Sequence, residues 1–326
     1  MNQSINFSLI IPNFNGEKYL INCLDSLIKS ISIVNNSKFE LILVDNASKD
    51  SSVNIFCRNI PKKYYSKVIL NNKNLGFAAA VNQGIKTASY SYVVLINNDL
   101  TLDHNWFKKV RKEIIDNPNN NIAAYCGTVL NTDGTLIESQ GFKYHTKGKC
   151  HNISNGKKFN KSILQEKPKI IWGAPAALIV YKKNIIEKIG LFDEDFFAYE
   201  EDVDLALRLN MFGYKTRYIP SAVSYHLGGG TSNLLFNLRS RMTYRNWYFI
   251  IIKNYELKKI IINLPQIILE RFRNLSYLTR QTIKICPKPK IIHILKTIAT
   301  VSLEIILLAP KMLNKRFHYQ KLLKKG

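Results

Sequence analysis

A single carboxylate ends an apolar run of the sequence, Val94–Leu100, in which Asn97 and Asn98 directly precede Asp99. A carboxylate exposed at the end of a buried strand can bind a hard divalent cation such as Mg²⁺ or Mn²⁺, which keeps several waters and bridges to substrate phosphates. The same Asn-Asn-Asp tract also suits an ordinary turn, because short polar side chains hydrogen-bond the backbone there. Taken alone, Asp99 is therefore a candidate metal ligand and a candidate turn residue.

The densest acidic tract places four acids in five residues, Glu200–Asp204. Acids in the first turn of a helix favour the helix dipole, which accounts for one or two of them but poorly for four. Clustered like charges raise one another's pKa, and a raised pKa lets a carboxylate act as a general base near neutral pH. Because Leu205 and Leu209 would anchor this helix in the core, a neighbouring face with Asp202 can point into a cleft.

His226 ends an apolar stretch and is followed, after Leu227, by three glycines, Gly228–Gly230. A lone histidine usually has a structural role, but imidazole is also a common metal ligand. Glycine-rich backbone beside it would allow a phosphate to approach closely. Both interpretations of His226 stay open at this point.

The elements that must position these groups alternate in type along the first part of the chain. Strands that alternate with helices predict a mostly parallel α/β sheet covered by helices on both faces. In such sheets the ligand lies beyond the carboxyl ends of the strands. We predict strands at Phe7–Pro12, Phe39–Asp45, Lys67–Leu70 and Tyr92–Ile96, and helices at 17–30, 50–58, 76–88 and 103–116. Polar tracts follow the four strand ends: PNFNG, DNAS, NNKNLG and NND.

Residues beyond 120 show a less regular pattern. Gly213 supplies a stop for a helix in which leucines recur at helical spacing. In chain order we predict a hairpin at Asn131–Gly134, a mobile loop at 146–162, a strand near Ile170–Val180, a helix within Phe192–Lys215, and two short strands, Thr216–Ile219 and Ala222–His226, separated by Pro220.

Six motifs resemble, in order and approximate spacing, those of the family 2 glycosyltransferases. The resemblance covers residues 6 to about 250 and is greatest to the bacterial rhamnosyltransferase-like branch that builds polysaccharide. It implies a GT-A fold, a nucleotide-diphosphate sugar donor, a divalent metal (Mg²⁺ or Mn²⁺) and inversion of the anomeric centre. The motifs are SLIIPNFNGEKYL, LILVDNASKDSS, NNKNLGFAAAVNQGI, VLINNDL, GLFDEDFFAYEEDVDLALRLNMFGY and PSAVSYHLGGGTS.

The resemblance also implies roles for individual residues. Asp202 would be the catalytic base, Asp99 the metal-binding acid and His226 a second metal ligand. Asn97 stands where the family's Asp-X-Asp element has its first acid. The residues implied to contact the nucleotide sugar are Pro12, Asn13, Asn15, Asp45, Asn74, Gly76, Phe77, Asn97 and Asn98, with Asp45 facing the base or ribose.

An inverting transfer fits these residue types. It needs one base to deprotonate an acceptor hydroxyl and one cation to stabilise the departing diphosphate. A strong acid cluster and a separate metal-type acid match those tasks better than the carboxylate pair of a retaining reaction would. The Gln-X-X-Arg-Trp element of processive synthases is missing from Arg241–Trp247, which predicts transfer of a single sugar. We expect rhamnose from a dTDP donor, or another sugar from a UDP donor, and a polysaccharide or lipid-linked glycan acceptor.

Charge is distributed unevenly along the 326 residues. Of the formal net charge of +24, residues 227–326 contribute 19 Lys and Arg against 3 Asp and Glu. Such a basic region binds phosphates, on an anionic membrane or on nucleic acid. We predict a GT-A domain at 1–230 and a basic helical region at 231–326 that associates with a membrane. A polar stripe in Ile291–Pro310 predicts an interfacial or groove-filling helix, with a transmembrane helix as the alternative.

Five cysteines without paired spacing predict a reducing compartment, and the N-terminal sequence does not have the pattern of a signal peptide. We therefore expect a cytoplasmic protein, peripheral on the inner face of the cell membrane, with no nucleic acid partner. Two other hypotheses stay open. Charge alone supports a basic nucleic-acid-binding protein, and Asn97 suggests a catalytically weak scaffold of the same fold.

Overall fold

The computed structural model describes residues 4–227, 236–285 and 291–323, so Gly228–Gly230, Cys286 and the predicted domain boundary lie outside the described residues. The strands are β1 (Phe7–Asn13), β2 (Phe39–Asp45), β3 (Tyr65–Leu70), β4 (Tyr92–Ile96), β5 (Leu100–Leu102), β6 (Ile122–Asn131), β7 (Ile137–Ser139), β8 (Phe142–His145), β9 (Lys149–Asn152), β10 (Lys169–Ile171), β11 (Leu178–Lys182) and β12 (Lys215–His226). The helices are α1 (Glu17–Ser32), α2 (Ser52–Asn59), α3 (Phe77–Thr87), α4 (Trp106–Asp116), α5 (Lys183–Lys188), α6 (Glu201–Met211), α7 (Phe236–Asn254), α8 (Leu257–Ile285) and α9 (Ile291–Leu323).

One sheet contains all the strands that end in predicted site residues. Its order is β10-β12-β6-β11-β4-β1-β2-β3, and the four strands from β4 to β3 are parallel. β11 runs antiparallel to both β4 and β6, whereas β12 is parallel to β6. The predicted parallel sheet flanked by helices is confirmed, with β11 as an antiparallel insertion. The carboxyl ends of β1, β2 and β4 therefore lie at one edge of the sheet.

Both faces of β1 are buried, which explains why its sequence is a continuous apolar run. Successive side chains of a strand point to opposite faces. Leu9 and Ile11 join one core cluster with Leu24 of α1, while Ile10 joins another with Val81 of α3. The apolar run stops at Asn13, where the strand leaves this double-sided core.

The strand β12 is continuous where two short strands were predicted. Its pairing with β6 shifts register between Tyr218 and Val223, and Pro220 lies inside that irregularity. Proline has no N–H to donate to a ladder, so an irregular position accommodates it without ending the strand.

Residues 146–162 contain a strand where a loop was predicted. β9 pairs with β8 through a tight turn in which Gly148 has a φ of +76°. The strand is short and polar, so its sequence lacks an alternating apolar signal. The strand predicted near Ile170–Val180 is in fact two, β10 and β11, whereas the hairpin at Asn131–Gly134 is confirmed between β6 and β7.

Buried ion pairs connect the C-terminal helices to the sheet domain. Lys253 of α7 lies 2.6 Å from Asp193 and 2.8 Å from Asp204 of α6. Lys315 of α9 pairs with Asp193 and, at 2.6 Å, with Asp195. Part of the basic charge thus neutralises acids in and before α6.

The helix α9 continues beyond the predicted end at Pro310 to Leu323. Within the ranges that the structure describes, we find no helix whose length and apolar character would let it cross a membrane.

Candidate active site

A cavity of about 530 Å³ opens at the carboxyl ends of β1 and β4. Strand ends, the start of α6 and the start of α7 all contribute to its wall. All the predicted site residues except Asn15 and Asp45 line it: Pro12, Asn13, Asn74, Gly76, Phe77, Asn97, Asn98, Asp99, Asp202 and His226.

Asn13, the last residue of β1, is held in a network of buried polar groups. Its amide nitrogen donates to Asp45 and Ser52, each at 2.8 Å, and its oxygen accepts from the Asn98 amide at 2.7 Å. Gly16 packs against this network, where a Cβ atom would lie only 2.2 Å from the Asn13 oxygen. Glycine at this position therefore allows Asn13 and Asn98 to keep a fixed orientation.

Asn15 and Asp45 are not among the residues that line the cavity, and their contact with the nucleotide stays a prediction. Asn15 accepts a hydrogen bond from the Lys49 N–H at 2.8 Å and thereby connects the loops after β1 and β2. Asp45 is buried and accepts hydrogen bonds from Asn13 and Ser48. The Asp45 carboxylate thus supports Asn13, and the adjacent Asn46 lines the cavity.

Gly76 precedes α3 with a φ of +87°. Its N–H donates to Asn74 at 2.9 Å, and its carbonyl accepts from the Asn46 amide at 3.0 Å. A Cβ atom here would lie 2.5 Å from the carbonyl oxygen of Phe197. The positive φ and this close contact both require glycine.

Asp99 and His226 come from distant parts of the chain and meet because β5 pairs with β12. His226 Nε2 lies 3.3 Å from Asp99 Oδ2, and Nδ1 lies 2.6 Å from Glu138 of β7. Burial by itself would lower the pKa of His226, but its hydrogen bonds to Asp99 and Glu138 outweigh burial and raise the pKa to about 10. The imidazole is thus a cation between two carboxylates at neutral pH.

The oxygens at the end of β4 fit a divalent cation. Asn97 Oδ1 and Asp99 Oδ1 are buried, and neither has a hydrogen-bond partner among the described residues. Oxygen atoms beside one imidazole are a donor set that Mg²⁺ and Mn²⁺ accept. Across the described ranges, no group of three or more His, Cys, Asp or Glu side chains could hold a metal unaided. This set therefore suits a cation that takes further oxygens from substrate phosphates, as Mg²⁺ usually does.

Asp202 lies in the first turn of α6 and faces the cavity. Its carboxylate accepts hydrogen bonds from the N–H of Ala176 at 3.1 Å and of Val203 at 2.8 Å. Burial raises the pKa of Asp202 to about 6, although both hydrogen bonds act to lower it. The carboxylate is thus ionised at neutral pH while remaining basic enough to accept a proton.

The other three acids of the tract have different environments. Burial first, and then the charge of Asp202, raises the pKa of Glu200 to about 8 and that of Glu201 well above its ordinary value. Glu200 is therefore mostly neutral near pH 7, where Asp202 is ionised. Burial would also raise the pKa of Asp204, but Lys253 and Arg208 outweigh it and lower that pKa. Burial, more than the mutual repulsion that was predicted, thus raises the pKa of three of the acids, and two neighbouring cations lower that of the fourth.

Several cavity residues were not predicted from the sequence. Arg239 and Thr243 of α7 line the cavity, as do residues 197–199 ahead of the acid tract, while Glu138 of β7 bonds His226. Residues 197–199 lie in the acidic motif but carry no acid, and the other three belong to no local motif with a chemical signature. Only tertiary packing brings them to the site.

Comparison with known proteins identifies a family whose sequence pattern this chain matches. The family described as Glycosyl transferase family 2 matches residues 8–190, more than half of the chain. The chain is 25% identical over 202 residues to the poly-beta-1,6-N-acetyl-D-glucosamine synthase of Staphylococcus epidermidis, which is 62% of this chain and 46% of that protein. It spans about half the length of the curated relatives that it matches.

Solved structures share the fold at lower sequence identity. The structure of GalNAc-T7 with UDP, GalNAc and Mn²⁺ matches with a TM-score of 0.59 and 14% identity, over 93% of this chain and 55% of that one. S. aureus TarS 1–349 in complex with UDP-GlcNAc matches with a TM-score of 0.53 and 15% identity, over 98% and 91% of the two chains. The architecture is the GT-A fold with a C-terminal helical extension, as the sequence motifs implied. The chain belongs to glycosyl transferase family 2.

Proposed function

We propose that this protein transfers a sugar from a nucleotide-diphosphate donor to a hydroxyl of a glycan acceptor, with inversion at the anomeric carbon. The observation that carries the proposal is one cavity lined by the Asn13 network, by Asp99 with His226, and by Asp202. An inverting transfer needs a donor site, a cation for the diphosphate and a base for the acceptor, and it needs no covalent nucleophile. Membership of the family supports the same activity.

The donor nucleotide would lie along the strand ends. Amide side chains there, such as those of Asn74 and Asn98, offer both donors and acceptors to the nucleotide sugar. Asn15 and Asp45 would act indirectly, by fixing Asn13. The residues that we assign to direct contact with the nucleotide sugar are Pro12, Asn13, Asn74, Gly76, Phe77, Asn97 and Asn98.

Asp99 and His226 would hold Mg²⁺ or Mn²⁺, with the unpartnered oxygen of Asn97 beside them. A bound cation supplies stabilisation of the negative charge on the departing diphosphate. His226 must give up the proton that lies between Asp99 and Glu138 before it can act as a ligand, so metal binding should release protons. The Mn²⁺ in the GalNAc-T7 structure supports a divalent metal without choosing between the two ions.

Asp202 would accept the proton of the attacking acceptor hydroxyl. A base with a pKa near 6 is ionised at neutral pH and still takes a proton as the oxygen attacks. Asp202 lies in α6 and Asp99 follows β4, so the two carboxylates come from different elements. This arrangement supports separate roles for them, one as the base and the other as a metal ligand.

For the donor we favour a UDP-N-acetylhexosamine over dTDP-rhamnose. The S. epidermidis relative is named as a synthase of an N-acetyl-D-glucosamine polymer, and TarS 1–349 was solved with UDP-GlcNAc. Neither protein supports rhamnose, which stays as the competing prediction from the motif branch.

The C-terminal helices support a lipid-linked acceptor at a membrane surface. Both α8 and α9 expose large apolar side chains at helical spacing in a region with an excess of Lys and Arg. An anionic bilayer accepts an apolar face and basic charge together, so we propose attachment to the inner face of the cell membrane. The exposed side chains in question are Leu257, Ile261, Leu264, Ile268 and Phe272 of α8 and Leu295, Leu303, Ile306 and Phe317 of α9.

Nucleic acid is a less suitable partner than a membrane for the basic C-terminal region. Tyr244, Trp247 and Phe249 lie among the basic residues of α7, but all three are buried. Buried rings cannot serve as the stacking platform on which single-stranded bases are bound.

A thermal-shift screen followed by a transfer assay tests the proposed activity. UDP-GlcNAc, UDP-GalNAc and dTDP-rhamnose are each added with Mn²⁺, with Mg²⁺ or with EDTA, because a ligand of the native state raises its melting temperature. We expect a UDP-sugar to raise Tm only with metal, and NMR of the product to show the inverted anomer. A response to dTDP-rhamnose alone would overturn the donor assignment. If no nucleotide sugar binds or reacts while DNA binds with a steep salt dependence, the protein is not a glycosyltransferase.

A further inference from the structure

The segment that leads into α6 has an unusual backbone. Phe197, Tyr199 and Glu200 have φ values of +64°, +68° and +66°, a region that residues with a side chain rarely adopt. Three such residues among four, none of them glycine, do not hold this shape by local preference. Contacts from elsewhere in the fold must impose it.

This segment connects the two halves of the candidate site. At one end, the Phe197 carbonyl accepts a hydrogen bond from the N–H of Ala78 at 3.2 Å, in the first turn of α3. At the other end, the Glu200 carbonyl accepts from the Asp204 N–H at 3.0 Å and so begins the helix that carries Asp202. The position of Asp202 relative to the strand ends thus depends on the segment's conformation.

One side chain of α7 donates hydrogen bonds to three backbone carbonyl oxygens of this segment. Asn246 is fully buried, and its amide nitrogen donates to the carbonyl oxygens of Phe196 at 3.0 Å, Ala198 at 3.0 Å and Tyr199 at 2.7 Å. An amide has two N–H groups, so three acceptors share two hydrogens. The Asn246 oxygen in turn accepts from Arg245 Nε at 3.0 Å, which fixes the orientation of the amide.

Arg245 reinforces the same contact. Its Nη2 donates to the carbonyl oxygens of Asp195 at 3.1 Å and Phe196 at 2.9 Å. Arg245 and Asn246 of α7 thus donate hydrogen bonds to four of the five backbone carbonyls of residues 195–199, which precede α6. We find no comparable set of side-chain bonds from α8 or α9 to this backbone in the described residues.

We propose that Asn246 is a positioning residue for the transfer reaction, and that α7 is a working part of the catalytic unit although it belongs to the predicted C-terminal region. The proposal rests on the proposed function, because it takes Asp202 as the base. Without the amide, the Ala198 and Tyr199 carbonyls lose this donor while the Phe196 carbonyl keeps Arg245, the segment relaxes toward ordinary φ values, and the first turn of α6 moves. The strand ends on β1, β2 and β4 carry most of the nucleotide side, and the segment contacts that side only at the start of α3, through Ala78 and Gly76, among the described residues.

The test compares Asn246→Ala and the milder Asn246→Ser with Asn263→Ala in the full chain. Asn263 lies in α8 and donates only to the Lys259 carbonyl of its own helix, so it is a matched control. Amide hydrogen exchange of the peptide that covers residues 195–204 reports the conformational stability of the segment directly, and it does not require the enzyme to be active. Steady-state transfer, with kcat and the KM for the nucleotide sugar determined separately, reports its effect on the reaction.

We expect faster exchange in this peptide for Asn246→Ala and an intermediate rate for Asn246→Ser. We also expect kcat to fall on the order of 10–100-fold with little change in KM, since a displacement of about 1 Å can cost that much. The control should match the wild type in both readouts. If Asn246→Ala does not fold, Asn246→Ser decides the matter.

Each result has a definite meaning. Unchanged exchange in both Asn246 variants, or faster exchange with unchanged kcat, would overturn the positioning role. A rise in the KM for the nucleotide sugar without a loss of kcat would also overturn the positioning role, because a damaged donor site gives that result. If the wild type transfers no sugar, the proposed function fails, and the exchange experiment still decides whether Asn246 holds the segment.

Discussion

The proposed reaction depends on whether the Asp202 carboxylate can accept a proton from the acceptor hydroxyl. Asp202→Asn keeps the size of the side chain but removes the base, so transfer should fall about 10²–10⁴-fold. Donor binding should persist, because the nucleotide wall is formed by other residues. Initial rates and the thermal shift with donor measure the two effects. Glu187→Gln, at an exposed position of α5, is the control, and unchanged turnover in Asp202→Asn would remove Asp202 from the mechanism.

The pH dependence of the wild type follows from the same carboxyl group. Burial raises its pKa to about 6, so the fraction in the active, ionised form falls as the pH drops through that value. We expect kcat to be level near pH 7 and to approach a tenfold loss per pH unit well below 6. A pH series of kcat at saturating donor checks this, and a rate that stays level down to pH 5 would contradict it.

Asn97 offers a gain-of-affinity test of the metal site. Its Oδ1 atom is buried near Asp99 and has no hydrogen-bond partner in the part of the chain that the structure describes. Asn97→Asp puts a second carboxylate there and should tighten Mn²⁺ binding about tenfold, equivalent to ~1.4 kcal/mol. Calorimetric titration of Mn²⁺ with UDP present measures it. The exposed Asn119→Asp is the control, and an affinity equal to that of the wild type would place the metal elsewhere.

At the scale of elements, the buried ion pairs of α7 stabilise the region around α6. Lys253→Met removes one cation from Asp193 and Asp204, which keep Lys315 and Arg208, so it should cost up to about 3–5 kcal/mol of unfolding free energy, the value for a buried charge with no partner left. Urea unfolding measures the loss. Lys258→Met, at an exposed position of α8, should change little, and an equal effect in both variants would show that the pairing contributes nothing specific.

The pH dependence of stability follows from the same pairs. Burial raises the pKa of both Asp193 and Asp204, but the neighbouring cations outweigh it, so each pKa lies below the ordinary 3.8. Their stabilisation is therefore complete above pH 3.8 and is lost as the pH falls further through the folded-state values. In Lys253→Met, urea midpoints should lose this part of their pH dependence. A wild-type stability that does not change below pH 3.8 would contradict the assignment.

Elements with a local signal were predictable from the sequence, and those formed by tertiary contacts were not. The alternation of apolar runs and helical patterns predicted β1 to β4 and α1 to α4 but not the short β5, and Gly213 marked the end of α6. β9 escaped prediction because its four residues carry no apolar alternation. The same holds for the site: Asp99 and Asp202 stand in motifs, whereas Asn246 is bound to its partners across about 50 residues of sequence and has no local signature.

At the scale of the whole molecule, part of the basic charge of the C-terminal region forms ion pairs within the fold. Lys253, Lys311 and Lys315 pair with acids of the sheet domain and are not free for a membrane. A sequence count of Lys and Arg could not make this distinction, because it depends on which side chains the fold turns inward. Deleting α9 would therefore remove the pairs of Lys311 and Lys315 and uncover Tyr244 and Leu278, which form a core cluster with Val301 of α9, so truncation cannot test membrane attachment cleanly.

Substitution of exposed residues tests attachment without breaking the fold. Ile261→Ser combined with Ile306→Ser removes apolar surface from α8 and α9 at positions that are 65% and 68% exposed. Each buried aliphatic side chain contributes about 1.5–3 kcal/mol, so binding to anionic vesicles should fall at least tenfold. Flotation with vesicles of phosphatidylglycerol and phosphatidylcholine measures it, and high salt should weaken wild-type binding because the basic charge contributes.

The matched control for this experiment lies on β3, at the opposite part of the chain. Tyr65→Ser with Leu70→Ser removes two side chains of similar exposure, 64% and 65%, from the sheet domain. This variant should float with the vesicles as the wild type does, because the proposed membrane face includes only α8 and α9. Equal loss in both double variants would mean that exposed apolar area anywhere on the protein drives binding. A wild type that does not float with anionic vesicles would refute the membrane partner and leave a glycan free in solution as the acceptor.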